Sequence, residues 1–305
     1  LLKRGGPAFI VGACIIGPGS VTLMSKTGAG YGYELIWISL LSGILMAGFL
    51  AIFMWFGIYS EETFLSITAK KLGRWYAVLC GLTLFSVDAT FQFGNALGVK
   101  AGMAAIFPNV SPYVWPIAFT LSAILFLFGL KRFYGVLEKM MTFFLVFMAA
   151  AFLINLIFAR PNLLAVAQGA FHPTLPPDMD WVIIGGLVGT TFVIVAAFLQ
   201  PYLVKAKGWT EEDFRSGVTD TVLASVFLTV IGAMIMITAA AVIHPLGLDP
   251  SKVSFETMIT QLEKGFGAHF ARLIFSVGFF CAAFSSFITN SVIGGVLLHD
   301  GLGLG

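Results

Sequence analysis

Long apolar stretches alternate with short polar ones along almost the whole chain, which is the pattern of a protein that crosses a membrane several times. A membrane-spanning helix needs about 17–25 mostly apolar residues to cross a hydrocarbon core of roughly 30 Å. Eight stretches are long enough, near residues 7–29, 33–57, 75–107, 114–130, 134–159, 181–204, 217–243 and 268–298. The pattern therefore predicts an all-α polytopic membrane protein with about eight spans.

The first of these stretches is interrupted at mid-depth by Gly17-Pro18-Gly19-Ser20. Proline lacks a backbone N–H and glycine disfavours the helix, so this segment is expected to break the helix at Pro18 and Gly19. A broken helix persists in a membrane only where its freed backbone groups face protein or a water-lined cavity. Secondary transporters hold their substrates at such breaks, which makes the Gly17–Ser20 region the first candidate site.

A second glycine-rich stretch, residues 185–191, lies in the sixth span and predicts another break, at Gly189. Two interrupted helices at corresponding positions indicate an inverted repeat with the substrate between them. We therefore predict a first five-helix repeat over residues 1–160 and a second repeat over residues 181–305. A five-plus-five arrangement needs ten spans, so the second repeat is expected to be truncated after its third helix.

Composition and charge support the membrane assignment and set the orientation. The chain is 58% hydrophobic and 10% charged, its net charge is only +2, and its mean hydropathy is +0.96. Such a balance excludes a soluble domain and gives no basic patch for nucleic acid, so the expected surroundings are a lipid bilayer. A cytoplasmic N-terminus follows from the positive-inside rule, since the inner loops then carry most of the cations: Lys3, Arg4, Lys70, Lys71, Arg74, Lys131, Arg132, Lys205, Lys207 and Arg215.

Several of these motifs together resemble the NRAMP family of proton-coupled divalent-metal transporters, which have the LeuT-type fold. The likeness begins with Gly17-Pro18-Gly19-Ser20, where the family has Asp-Pro-Gly-Asn, and covers essentially the whole chain. It continues through these segments: Gly28-Ala29, Tyr31-Gly32-Tyr33, Leu130-Lys131-Arg132, Leu137-Glu138, Ala159-Arg160-Pro161, Thr219-Asp220-Thr221, Phe284-Ser285-Ser286 and Thr289. The resemblance implies a LeuT-type inverted repeat with broken helices 1 and 6, alternating access, and a divalent metal ion as cargo.

The sequence departs from the family at the positions that hold the metal. Gly17 and Ser20 stand where the family has Asp and Asn, and in the sixth span Thr190, Val193 and Gln200 stand at the family's Ala, Met and second His. The resemblance thus implies an oxygen-only site without a carboxylate or a thioether, which favours a hard, hydrated ion such as magnesium over manganese or iron. The alternative is that the Ser20 and Thr190 hydroxyls only repair the broken backbone locally.

Asp88 is the one carboxylate deep in a predicted span, and an ionisable group at that depth is a functional candidate by default. It matches one of the acidic residues that the family carries in its third span, so the resemblance implies a proton-coupling role for Asp88, with Gln92 one turn away. The alternative is a structural ion pair with a basic residue in the ninth span, which the predicted truncation leaves out. Symporters of the LeuT-type fold hold sodium with a pair of adjacent hydroxyls in the eighth span, so the resemblance implies that Ser285 and Ser286 are candidates for a secondary ion site.

Two other functions remain open from the sequence. Lys26 and the half-helix N-termini at the two breaks also suit the carboxylate of an amino acid, as in cation-coupled symporters of the same fold. A membrane sensor that does not transport is the third reading. In each case we expect no enzyme activity and no cofactor. The four histidines are scattered along the chain without the spacing of metal ligands. The expected location is a bacterial inner membrane, and the oligomeric state stays open.

Overall fold

The computed structural model describes residues 6–129, 133–177 and 179–304, and in these ranges the chain forms helices and no strand. The family-like segment Leu130-Lys131-Arg132 lies outside them. The twelve helices found there are α1 (Pro7–Ile15), α2 (Pro18–Tyr31), α3 (Ile36–Tyr59), α4 (Phe64–Leu72), α5 (Arg74–Ile106), α6 (Val114–Gly129), α7 (Phe133–Ala159), α8 (Leu163–Phe171), α9 (Trp181–Thr191), α10 (Ile194–Lys207), α11 (Phe214–Val242) and α12 (Phe255–Leu302).

The helices match the predicted spans, and two of the spans are split. Among the described residues, five stretches are long and apolar enough to cross a membrane: Ile36–Tyr59, Arg74–Ile106, Trp181–Lys207, Glu211–Leu246 and Phe255–Leu302. The first predicted span is divided into α1 and α2, and the sixth into α9 and α10. The helix α12 begins at Phe255, ahead of the last predicted span, and its backbone leaves the helical conformation at Gly267 (φ 71°).

Two connections that the apolar pattern treats only as polar or proline-rich contain short helices. Thr63 begins α4 by accepting a hydrogen bond from the Ser66 N–H, and Asn162 begins α8 by accepting bonds from Leu164 and Ala165. Both are ordinary N-cap contacts that satisfy free N–H groups of a first turn. These connections are therefore ordered, and α4 carries polar side chains to the end of α12.

The four half-helices lie at the centre of the bundle. α1 packs against α7, α10, α11 and α12, while α2 packs against α5, α9, α11 and α12. The longest contact in the fold runs between α5 and α12, which approach closely because Gly81 and Gly301 face each other there. A side chain at either glycine would meet the opposite backbone at 2.8 Å. The uninterrupted helices thus form a frame around the two breaks.

A residue far along the chain caps the first helix. The N–H of Ala8 donates to Oδ2 of Asp220 on α11 at 3.0 Å, and both residues are buried. The N-cap residue of α1 is Gly6, which has no side chain to do this, and a Cβ there would lie 2.3 Å from the Asp220 carboxylate. A carboxylate in this place stabilises the positive end of the helix dipole. Asp220 therefore fixes the start of α1.

Candidate functional site

The first break occupies Ile16 and Gly17, between the end of α1 and the start of α2. Ile16 has left the helix (φ −88°, ψ 71°), and Gly17 is extended (φ −98°, ψ −178°). This corrects the predicted position of the break, because Pro18 occupies the first position of α2, where its missing N–H costs nothing, and Gly19 follows in the same turn. The Pro18 ring rests on Gly98 of α5, since a Cβ at 98 would lie 2.3 Å from its Cγ.

The second break occupies Phe192 and Val193, between α9 and α10. This corrects the sequence prediction, because Gly189 lies inside α9 and the helix ends only after Thr191. The helix breaks instead at Phe192, whose ring packs edge-on against Phe49 of α3 with the ring centroids 5.0 Å apart. The helix therefore breaks three residues after Gly189.

Ser20 joins the two breaks. Its buried hydroxyl lies within hydrogen-bond distance of the carbonyl of Ile15, the last residue of α1, and of the Thr190 carbonyl on α9 at 3.1 Å. A Cβ at Gly19 would also meet the Thr190 methyl at 3.7 Å, which is ordinary contact. The Ser20 hydroxyl therefore stands between two backbone oxygens that the helix breaks leave without their usual partners.

The space beside Gly17 is filled by polar groups from two other helices. A Cβ at position 17 would lie 2.7 Å from Ser286 Oγ on α12 and 3.2 Å from Asn95 Oδ1 on α5. Asn95 and Ser286 are both buried. The oxygen atoms next to the first break thus come from α2, α5 and α12. The sequence alone did not point to Asn95 here, because nothing local connects residue 95 with residue 17.

The other sixth-span candidates differ in what they offer. The Thr190 hydroxyl donates back to the carbonyls of Gly186 (2.9 Å) and Leu187 (3.4 Å), so only its backbone oxygen reaches Ser20. Val193 is buried and presents an apolar side chain at the break. Gln200 lies seven residues after Val193 and is fully buried. Within the described residues, neither its amide oxygen nor its amide nitrogen has a hydrogen-bond partner.

A line of polar side chains runs along α5 away from the first break. Asn95 Nδ2 donates to Gln92 Oε1 at 3.3 Å, and Gln92 Nε2 donates to Ser291 Oγ at 3.1 Å and to the Phe287 carbonyl at 3.0 Å. The line ends at Asp88, one turn further along the same helix. The hydrogen bonds themselves run from Asn95 through Gln92 to α12, and Asp88 is their neighbour on α5.

Asp88 lines a cavity of 470 Å³ between α5, α6 and α12. The residue is only 4% exposed, its Oδ1 has no hydrogen-bond partner in the described part of the chain, and its Oδ2 faces Gly294 of α12. Across the described ranges no lysine or arginine pairs with it. Other polar residues on the cavity wall are Gln92, Thr120, Asn290 and Ser291.

The secondary ion-site candidates Ser285 and Ser286 are adjacent residues of α12, and both are buried. Ser285 Oγ donates to the Ala282 carbonyl at 3.0 Å, and the Ser285 carbonyl accepts a bond from Thr289 Oγ1 at 2.9 Å. Ser286 is the member of the pair that faces the first break. Among the described residues, no group of three or more His, Cys, Asp and Glu side chains is arranged to hold a metal ion. The oxygens at the break are therefore neutral, from hydroxyl, amide and backbone groups.

Comparison with known proteins identifies the family and a relative in sequence. A family model described as "Natural resistance-associated macrophage protein-like" matches residues 8–305. A divalent metal cation transporter, MntH, from Pectobacterium carotovorum subsp. carotovorum is 25% identical over 310 residues, which cover 98% of this chain and 72% of that protein.

Among solved structures, the manganese transporter of Eremococcus coleocola matches with a TM-score of 0.77 at 16% identity over 99% of this chain. The same transporter in complex with an aromatic bis-isothiourea substituted compound matches with a TM-score of 0.76 at 17% identity. The chain spans 66% of the length of each. At these identities the match shows the fold, which is the all-helical LeuT-type fold expected from the sequence.

Proposed function

Because the chain belongs to the Nramp family, we propose that it moves a divalent metal cation across a membrane. The observation that supports this most directly is the pair of breaks, at residues 16–17 and 192–193, which the Ser20 hydroxyl connects in the middle of the bundle. Backbone carbonyls at unwound membrane helices are the groups that secondary transporters use to hold ions. The cargo leaves chemically unchanged, so the proposed protein is a transporter and not an enzyme.

The proposed cargo is a hard divalent ion that keeps part of its water shell, with magnesium ahead of manganese. Ser20, Asn95 and Ser286 offer only neutral oxygens near Gly17, and Val193 offers no sulfur. Magnesium gives up its waters reluctantly and is commonly bound through them, whereas manganese and iron gain more from softer ligands. Neutral ligands also imply weak binding, which suits an ion that is abundant in cells.

Alternating access is the mechanism we propose for this fold. α1 and α10 end at the breaks from one side, and α2 and α9 end there from the other, so each half-helix can tilt about residues 16–17 or 192–193. With the N-terminus in the cytoplasm of a bacterium, as the cation distribution favours, α1 and α10 form the cytoplasmic half of the path.

We further propose that Asp88 carries the coupled proton. Its carboxylate lacks a cationic partner among the described residues, and it lies one turn along α5 from Gln92, which is hydrogen-bonded to Asn95 beside the first break. Ionisable side chains at membrane depth form proton relays in pumps and transporters, so this carboxylate is the candidate to take up and release a proton during transport.

Uptake into proteoliposomes tests these proposals. Manganese, magnesium and a mixture of amino acids are offered separately to the purified protein, with and without a pH gradient. We expect divalent-cation uptake with magnesium preferred, while amino-acid uptake without metal flux would show that the family's cargo has changed. Flux of neither, in protein that remains folded, would favour a sensor.

A matched pair of variants ties the flux to the site. Ser20→Ala removes the hydroxyl between the breaks and is expected to reduce uptake at least about tenfold, the effect of roughly 1.4 kcal/mol. Ser122→Ala removes an exposed hydroxyl that donates only to Ala118 of its own helix α6, at 2.8 Å, and should leave uptake unchanged. Equal uptake by both variants would contradict the assignment of Ser20 to the site.

A further inference from the structure

Three cations and two aromatic side chains are exposed where α4 is followed by α5. Lys70 and Lys71 lie in the last turn of α4, and Arg74, Trp75 and Tyr76 are the first residues of α5. All five are exposed, and Trp75 keeps 67% of its surface accessible. We call residues 70–76 the basic turn. Within seven residues the chain thus presents positive charge and aromatic surface at one end of a long apolar helix.

The rest of the bundle holds the basic turn in place from one side only. At the start of α4, Thr63 Oγ1 donates to Asp300 Oδ1 at 2.8 Å, and Leu65 is fully buried. Gly73 then turns the chain with φ 97°, a conformation that residues with a side chain rarely adopt. A Cβ at position 73 would meet nothing within 4 Å. The turn is therefore fixed in position and open to its surroundings.

Neighbouring carboxylates balance only part of the charge on the basic turn. Lys70 Nζ pairs with Glu62 Oε1 at 2.7 Å. Arg74 forms no ion pair with the described residues, and its Nη2 donates to the backbone carbonyl of Asp300 at 3.2 Å. Lys71 makes neither a hydrogen bond nor an ion pair in the part of the chain that the structure describes. Lys71 and Arg74 therefore leave positive charge available for an external anion.

The surroundings of the basic turn favour a lipid as the source of that anion. Arg74 is the first residue of a stretch long and apolar enough to cross a membrane. Tryptophan and tyrosine concentrate at the headgroup level of a bilayer, and lysine and arginine beside a span attract anionic headgroups. Leu72 is also 62% exposed between the cations. A dissolved anion offers nothing to Leu72 and Trp75, whereas a phospholipid brings acyl chains for them and a phosphate for the cations.

We propose that the basic turn binds the headgroup of an anionic phospholipid. Its phosphate lies at Lys71 and Arg74, and its upper acyl chains lie against Leu72 and Trp75. With the N-terminus in the cytoplasm the lipid belongs to the cytoplasmic leaflet, and this part alone rests on the proposed orientation. The choice of an anionic headgroup depends on neither the orientation nor the cargo. A bound lipid anchors the start of α5 at the membrane surface.

Titration of the purified protein with a pair of lipids tests the proposal. Dioleoylphosphatidylglycerol carries a net negative charge and dioleoylphosphatidylcholine carries none, while their acyl chains are the same. Native mass spectrometry of the protein in detergent gives the binding constant of each lipid. Each lysine or arginine near an anionic headgroup is expected to contribute about fivefold to the affinity. The unchanged protein should therefore bind phosphatidylglycerol at least about fivefold more tightly than phosphatidylcholine.

Lys71→Gln should weaken the binding of phosphatidylglycerol about fivefold and leave that of phosphatidylcholine unchanged. Lys252→Gln is the matched control, because it removes the same charge from an exposed lysine in the loop between α11 and α12. It should change neither binding constant. Lys71→Gln combined with Arg74→Gln should weaken phosphatidylglycerol binding about 25-fold. If that double variant does not elute as monodisperse protein, Lys71→Gln decides alone.

Three results would overturn the lipid site. The first is equal affinity for the two lipids in the unchanged protein, or unchanged phosphatidylglycerol affinity in folded Lys71→Gln. The second is an equal loss in Lys252→Gln, because net charge and not the basic turn would then select the lipid. The third is displacement of the lipid by glycerol 3-phosphate at a similar concentration, which would show that the turn recognises a soluble phosphate. None of these measurements depends on ion flux, so failure of the lipid site leaves the proposed function untouched.

Discussion

Replacing Gly98 by alanine gives the sharpest test of how the first break is built. The Pro18 ring lies against Gly98, and a Cβ at position 98 would come within 2.3 Å of Pro18 Cγ and 2.5 Å of its Cβ. A proline ring cannot rotate away, so it must retreat by about 0.7 Å even to reach the shortest tolerable contact near 3.0 Å. Because Pro18 begins α2, this movement is transmitted directly to Gly17 and the break.

Gly94→Ala is the matched control, since Gly94 lies one turn earlier on α5 and a Cβ there meets nothing within 4 Å. Both substitutions gain the same helix propensity, about 0.8–1.0 kcal/mol relative to glycine. Gly98→Ala alone incurs the overpacking cost, typically about 1–3 kcal/mol. The two variants should therefore differ in free energy of unfolding by about 1–3 kcal/mol, with Gly98→Ala the less stable.

Thermal unfolding of both variants in the same detergent, followed by size-exclusion chromatography, measures this difference. Gly98→Ala should lose monodisperse protein at a temperature several degrees lower than Gly94→Ala, and it should also transport more slowly. Equal melting of the two variants would refute the reasoning, because it would mean that Pro18 does not press on α5. Lower stability with unchanged transport would show that the break tolerates a shifted Pro18.

Two further tests address the coupling and the cargo. Asp88→Asn should abolish the dependence of uptake on a pH gradient, whereas the control Asp249→Asn, in an exposed turn beside Ser251, should keep it. Gradient-dependent uptake by Asp88→Asn would contradict the proposal that Asp88 carries the proton. Gly17→Asp combined with Val193→Met is expected to raise manganese affinity, measured by isothermal titration. The gain should be larger when Ser286→Ala is added, because Ser286 Oγ lies 2.7 Å from a Cβ at position 17. No gain in either form would mean that residues 17 and 193 do not face the ion.

The first break was predictable to within about two residues because its cause is local. Pro18 lacks an N–H and Gly17 lacks a side chain, so the chain must leave the helix there whatever surrounds it. The second break was misplaced by three residues, since Phe192 and Val193 carry no local signal and the turn depends on packing against Phe49 of α3. Glycine content shows where a helix is weak, while tertiary contacts decide where it bends.

The partners of the first break depend on tertiary structure as well. Asn95 and Ser286 are separated by most of the chain, and only the packing of α5 along α12 brings both to Gly17. The same packing brings Asp300 to Tyr202 and Thr63. The helices α4 and α8 are a different case, because Thr63 and Asn162 are standard N-cap residues and a search for caps would have found both.

The cap on α1 has a consequence for how the protein is made. The carboxylate of Asp220 lies 212 residues after the Ala8 N–H that it binds. At about 5–20 residues per second, a ribosome needs roughly 10–40 s to synthesise that stretch. Until then α1 is a nine-residue helix whose first turn lacks its acceptor, and helices this short are unstable alone. The helix α1 therefore reaches its final form only after α11 has entered the membrane.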